Sequence, residues 1–213
     1  MLIRPQDAAR DDDEWRAFLL RHDFGQIIAS GVGRPSPVIV PAHFIYDGDT
    51  TISLHLARVN PLWAALAENP IAVLAVIGAY TFIPGPWNTN ESDGVDYGVP
   101  TSYYASVQAT GTCEIVDEPE ALATLLSAQM AHFQPEGGHS PVTPGDTPYG
   151  RRLPAIRGLR LTVTEVRAKF KFGGNKPAAQ RAAIAEKLAA RGQGLDAEAR
   201  ELLLRRMDEK TPQ

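Results

Sequence analysis

The stretch Thr51-Ile52-Ser53-Leu54-His55-Leu56-Ala57-Arg58-Val59-Asn60-Pro61-Leu62-Trp63 constrains this chain most. Its first half alternates: Ile52, Leu54 and Leu56 fall on one face of a strand, and Thr51, Ser53 and His55 on the other. The alternation then stops. Asn60 is a favourable helix N-cap and Pro61 a favourable first helical residue, and Leu62, Trp63 and Leu66 follow at helical spacing. A strand therefore delivers hydroxyls, an imidazole and a guanidinium to the start of a helix spanning 61–68. Unpaired backbone N–H groups at a helix start suit an anion, and Arg58 adds a planar fork that fits phosphate. A half-exposed sheet face before an ordinary capped helix has the same pattern.

Length and charge narrow the classes. A chain of 213 residues fits one sizeable core with helical additions. Its net charge of −4 excludes a wholly basic nucleic-acid binder. The single cysteine, Cys113, can form no intrachain disulfide, which agrees with a reducing cytoplasm. The longest apolar run, Ile71 to Ile77, is too short to span a bilayer, and residues 1–7 lack the apolar run of a signal peptide. The expectation is a cytoplasmic protein without a membrane segment. No Ser/His/Asp triad, paired carboxylates or metal cluster supports a hydrolase, and no catalytic residue is assigned.

Taken in order, the spacing predicts a helix over 7–22, with Asp11, Asp12 and Asp13 crowding its start. Phe24–Ser30 and Pro37–Pro41 read as strands around a Gly31-Val32-Gly33-Arg34 turn, the second bounded by prolines as an edge strand is. Ile71–Ile77 does not alternate and predicts a strand covered on both faces, which Tyr80–Trp87 extends. Residues 88–98 are polar and predict a surface loop. The longest strand, to about Val116, carries Tyr103, Ala105, Val107, Ala109 and Gly111 on one face. Its small residues permit close approach by another backbone or a flat ring. A helix to Phe133 starts at Asp117 as N-cap with Glu120 in a capping box. A Pro- and Gly-rich loop over 134–154 and a strand over 155–166 follow. Lys169 and Lys171 then alternate with Phe170 and Phe172, which puts two ammonium groups on one strand face. Asn175 is expected to cap a helix to Arg191, and a last helix runs from Leu195 to about Lys210. Residues 1–191 are read as one domain and 192–213 as a helical extension packed on it or on a dimer partner. The tail's arginines alternate with Glu186, Glu198 and Glu201, the pattern of a solvated face rather than a DNA-binding one.

His-Leu-Ala-Arg-Val-Asn-Pro-Leu-Trp at 55–63 resembles the H-x-A-R-x-N-P-x-W signature of the PaiB-like FMN-binding family, whose members are often called negative transcriptional regulators. Two further stretches are similar to the family's elements. Val99-Pro100-Thr101 opens one, in which Ser102, Tyr103 and Gln108 replace the family's Trp, Asn and His. Lys169, Lys171, Asn175 and Lys176 match another, with Phe170 in place of Trp. The resemblance implies an α+β fold, a mostly antiparallel split β-barrel of the FMN-binding type with flanking helices and a helical C-terminal tail. It also implies a homodimer with FMN at the subunit interface. The expected site uses Arg58 for the phosphate, with His55 and Asn60 beside it. Thr101, Tyr104, Lys171 and Asn175 complete it from the same or the second subunit. A flavin-responsive regulator, an FMN-dependent oxidoreductase and a split-barrel scaffold that has lost flavin all remain open, and DNA is a possible partner only of the first.

Overall fold

The computed structural model describes residues 1–89 and 94–208. Asn90, Glu91, Ser92 and Asp93 of the expected loop, and the expected helix end near Lys210, lie outside the described residues. The strands are β1 (Phe24–Ala29), β2 (Val38–His43), β3 (Ile45–Tyr46), β4 (Thr51–Ala57), β5 (Ile71–Ile83), β6 (Thr101–Val116) and β7 (Ile156–Lys171). The helices are α1 (Asp12–Leu20), α2 (Leu62–Glu68), α3 (Pro119–Phe133), α4 (Ala178–Arg191) and α5 (Asp196–Asp208). The strands form one sheet in the order β2-β1-β5-β6-β7-β4-β3. β2 lies at an end of this order and carries Pro41 opposite Gln26, as a residue without an N–H requires.

The chain divides into two compact units. One, here the terminal unit, holds Met1–Trp15, Ile77–Val107 and Arg167–Gln213; the other, the inner unit, holds Arg16–Val76 and Gln108–Val166. β5, β6 and β7 each contribute a segment to both.

In the inner unit β4 alternates as its sequence dictates, with Ile52, Leu54 and Leu56 buried. It pairs antiparallel with β7, so that Ile52 faces Leu161 and Leu54 faces Leu159 across the ladder. A Cβ at Gly111 would lie 2.2 Å from the Thr162 carbonyl oxygen, so the close approach of two backbones requires glycine here. The 134–154 loop is anchored: Val142 and Leu153 are buried in a cluster with Val116, Leu122 and Leu125.

Two local expectations are corrected in this unit. Glu118, not Asp117, is the N-cap of α3, its carboxylate accepting from the Glu120 and Ala121 N–H groups at 3.1 and 2.8 Å. Pro119 has no N–H to satisfy and fits the first helical turn, which moves the cap to residue 118. Asp117 instead takes Arg58 at 3.1 Å and Arg157 at 3.0 Å. The run Ile71–Ile77 is not covered on both faces: Ala72, Leu74 and Val76 are buried, whereas Ile71 and Ile77 are exposed. An apolar outer face hid the alternation from the sequence.

β5 continues into the terminal unit with a change of phase. Gly78 and Ala79 are both buried, Ala79 has φ +52°, and thereafter Thr81 and Ile83 point inward while Tyr80 and Phe82 are exposed. This is the signature of one extra residue in a strand. At the end of β7, Phe170 is buried, as is Phe172 just beyond the strand, with Lys169 and Lys171 at the alternate positions. Tyr103 of β6 meets Phe172 edge to face, with centroids 5.9 Å apart.

The first helix is shorter than its periodicity suggests: Pro5–Asp7 form a single 3-10 turn, and α1 begins only after Asp11 accepts from the Glu14 N–H at 2.9 Å. α4 starts after Pro177 with no side-chain cap, so Asn175 does not serve as one. Between α4 and α5, Arg191 donates to both carboxylate oxygens of Asp196, to the Thr81 hydroxyl and to the Phe82 carbonyl. Its guanidinium lies 4.8 Å from the centre of the Trp87 ring. The Arg191 hydrogen bonds hold the buried Asp196 carboxyl well below the usual range, with help from Thr81 and the Gln193 N–H. Three tail arginines are paired: Arg200 with Glu186, Arg205 with Glu201 and Arg206 with Glu14.

Candidate functional site

The signature residues of the inner unit hold one another. The Ala57 carbonyl accepts from the Asn60 N–H at 2.9 Å and from the Trp63 indole N–H at 2.8 Å. Asn60 Oδ1 accepts from the Leu62 N–H at 3.0 Å, but α2 begins one residue later than expected, at Leu62, with Pro61 rather than Asn60 at its N-cap. Arg58 donates from Nε to the Pro154 carbonyl at 2.6 Å and from Nη2 to the Ile156 carbonyl at 3.1 Å; Nη1 reaches Asp117. Its backbone N–H donates to the Ala155 carbonyl at 2.8 Å. The fork thereby fastens the end of the long loop to the end of β4. His55 Nδ1 lies 2.5 Å from Gln129 Oε1, and the Gln129 side chain is buried with no partner for its Nε2 among the described residues. A cavity of about 520 Å³ adjoins Arg58, Asp117, Glu120 and Leu153.

The terminal unit presents a different chemistry. A cavity of about 380 Å³ is lined by Thr101 and Tyr103 of β6, Lys169 and Lys171 of β7, and Gly173, Asn175 and Lys176 beyond it. Leu2, Arg4, Gln6, Asp7 and Asn88 complete the wall. Strand alternation puts both β7 lysines on this side, and the buried Phe170 and Phe172 fix the backbone that carries them. Lys171 Nζ donates to Thr101 Oγ1 at 2.7 Å, and Lys169 Nζ donates to the Leu2 carbonyl at 2.9 Å. Lys169 Nζ also lies 5.5 Å from the centre of the Tyr104 ring. Burial lowers the pKa of the Lys176 ammonium. Tyr103 is buried, its hydroxyl has no partner among the described residues, and burial pushes its phenol up to about 12. Four cationic side chains and one carboxylate, Asp7, thus face a common space. Among the described residues no carboxylate forms an ion pair with Lys169, Lys171 or Lys176. An under-neutralised cluster beside a hydroxyl and an amide has the charge and donor set that suit a phosphate-like anion.

The structure thus brings Thr101, Lys171 and Asn175 to one cavity, with Tyr104 against the neighbouring Lys169, and places His55, Arg58 and Asn60 in the inner unit. Sequence reasoning passed over Lys169, Lys176 and Tyr103 as site residues, although the lysine–aromatic alternation already put Lys169 beside Lys171. Arg4, Gln6 and Asp7 gave no signal, because a single 3-10 turn has no periodicity to read.

Residues 1–165 match the family model described as "Putative FMN-binding domain", and the chain belongs to that family. Among solved structures it is similar to the FAD and heme binding protein of Mycobacterium smegmatis, at 20% identity over 83% of this chain and 79% of that one, with a TM-score of 0.59. It is also similar to the flavocytochrome Anf3 of Azotobacter vinelandii, at 17% identity over 82% of this chain and 74% of that one, with a TM-score of 0.58. A third likeness is to a "putative 5-nitroimidazole antibiotic resistance protein" of Bacteroides thetaiotaomicron VPI-5482, at 15% identity over 76% of this chain and 85% of that one, with a TM-score of 0.58. At such identities the likeness is one of fold. The fold is an α+β, mostly antiparallel split β-barrel of the FMN-binding type with flanking helices and a helical C-terminal tail. No curated protein matches the sequence. No helix among the described residues is long and apolar enough to cross a membrane.

Proposed function

We propose that the protein is a PaiB-like FMN-binding homodimer acting as a flavin-responsive negative transcriptional regulator, with the FMN phosphate held in the lysine-lined cavity of the terminal unit. The carrying observation is Lys171 bonded to the Thr101 hydroxyl beside Lys169 and Lys176, in a space with Asp7 as its carboxylate. A phosphate dianion would be neutralised by the ammonium groups and could accept from the Asn175 amide and the Thr101 hydroxyl. Tyr104 is proposed as a further flavin contact, whereas His55, Arg58 and Asn60 are proposed to hold the inner unit together through Gln129, the Pro154 and Ile156 carbonyls and the Leu62 N–H. Bound FMN would supply redox chemistry, while these residues bind and orient it.

The homodimer reading is supported by the apolar outer positions of β5, where Ile77 is 72% exposed, Tyr80 52% and Phe82 49%. A second copy covering them would bury more than about 1,000 Å². A monomer in sedimentation at micromolar concentration counts against it. A second reading, an FMN-dependent oxidoreductase, is favoured by the pairing of Arg200, Arg205 and Arg206 with carboxylates, which leaves those tail charges little to offer DNA. Binding to random duplex at physiological salt is accordingly expected at roughly 10⁻⁴ M or weaker. The deciding test for the flavin is a titration followed by its visible spectrum and fluorescence. FMN should bind at least about tenfold more tightly than riboflavin, one charge-assisted phosphate contact being enough for that ratio. Equal affinities would overturn the phosphate site.

A further inference from the structure

We infer that the terminal unit carries a second anion site, formed by Arg10, Arg181 and Arg206, which takes the phosphate group of a small molecule other than the flavin. These side chains line a cavity of about 440 Å³ whose wall includes Gln6 and Gly174. Of its lining, only Gln6 also lines the lysine cavity, so the two spaces are chemically separate.

Arg206 is fixed in place. It pairs with Glu14, donates to the Ala8 carbonyl at 2.9 Å, and lies 5.4 Å from the centre of the Phe170 ring. Arg181 is held by one contact, Nη2 to the Leu203 carbonyl at 3.3 Å, and its buried Nε has no partner among the described residues. A buried donor without an acceptor is costly, and a charged one more so. Burial pushes the Arg181 guanidinium down; nearby Tyr103 opposes this, while the charges of Arg206 and Arg10 add to it. Burial and then Arg206 lower Arg10 in the same way, against Glu14 and Asp11. The arginines are therefore crowded against their own repulsion. Glu14 is already engaged, taking Arg206 on one oxygen and the Arg10 N–H on the other.

A dianion entering the cavity would relieve that repulsion and give Arg181 Nε an acceptor. Planar forks converging on one space match the tetrahedral oxygens of phosphate better than a single carboxylate. Bare backbone closes the wall, since a Cβ at Gly174 would sit 2.6 Å from the Gln6 carbonyl oxygen. The site is argued from these residues alone and does not depend on the flavin reading.

The test uses the full chain, with and without FMN, at constant ionic strength set by chloride. Isothermal titration with inorganic phosphate, ribose 5-phosphate and ribose distinguishes the free ion, the phosphate ester and the sugar. Both phosphates should bind and ribose should not; tighter binding of the ester names a phosphorylated compound as occupant, and equal binding names the free ion. With saturating FMN occupying the lysine cavity, Arg181→Gln should weaken phosphate tenfold or more, Arg181→Lys should recover part of it, and Lys171→Met should leave it unchanged. FMN affinity should be unaltered in Arg181→Gln. If that variant misfolds, Arg10→Gln carries the same expectation. Absence of phosphate binding to the wild type overturns the site. So does full affinity in the arginine variants, or loss in Lys171→Met alone, which would put the phosphate in the lysine cavity.

Discussion

Arg58 and Lys171 are both cations that the sequence marks for an anion, yet their surroundings differ. Arg58 in the inner unit gives Nε, Nη1 and Nη2 to two carbonyls and a carboxylate of its own chain. Lys171 in the terminal unit gives one hydrogen bond to a hydroxyl and shares its cavity with more cations. The first arrangement is electrostatically complete and closes a loop. The second is incomplete and leaves charge that a ligand from outside would answer. A residue's charge predicts a ligand only when the fold leaves that charge unanswered.

The contrast is broken or sharpened first by Lys171→Met. It removes a charge-assisted contact of roughly 1.5–3 kcal/mol, so FMN should weaken by about ten- to a hundredfold while riboflavin is unchanged. Fluorescence titration of both flavins measures this; parallel losses would mean that Lys171 supports the fold. Next is Arg58→Ala, which strips three hydrogen bonds from a half-exposed guanidinium and should lower unfolding stability by about 1–3 kcal/mol in urea. It should affect FMN and riboflavin alike. An FMN-specific loss would show that the ligand reaches Arg58 and would merge the two classes. Arg58→Lys should recover only part of that stability, because an ammonium keeps the charge but not the fork that spans two carbonyls.

The smallest effect concerns Glu68, whose carboxylate takes Arg34 and the Val32 N–H and is held at about 2 by the Arg34 hydrogen bonds, then by Val32. Its ordinary value is 4.5, so folding lowers it. The stabilisation is complete above pH 4.5 and is lost as pH falls toward 2. Urea melts at pH 6 and pH 3 should show the wild type losing slightly more than Glu68→Gln, slightly because the pair is exposed to solvent. Identical losses would remove Glu68 from the set of answered charges.

The strand–helix unit at 51–68 was legible because period-two alternation and an Asn-Pro cap are local signals. The lysine face of β7 was legible for the same reason. What escaped were facts about distant partners. Nothing near residue 58 announces that the carbonyls of Pro154 and Ile156 will meet its guanidinium. Asp117 looked like a cap because its competitors for that carboxylate, Arg58 and Arg157, lie far along the chain. Ile71–Ile77 read as buried on both sides because hydrophobicity alone cannot separate an interior face from an exterior apolar one. The N-terminal wall of the lysine cavity comes from a segment too short to carry a pattern.

The extra residue in β5 sets a length standard. Excising Ala79 would relieve its left-handed backbone and restore plain alternation, with Thr81 and Ile83 still inward. It would also draw Thr81 along the strand by about 3.3 Å. Thr81 donates to Asp196 at 2.6 Å across 115 positions of sequence, and a slip of that size cannot be absorbed by one hydrogen bond. A deletion scan of β5 read by thermal melting should therefore find the sheet tolerant and the α4–α5 hairpin intolerant, with the latter melting early. The chain's tolerance to indels at this point is decided by a carboxylate more than a hundred residues away.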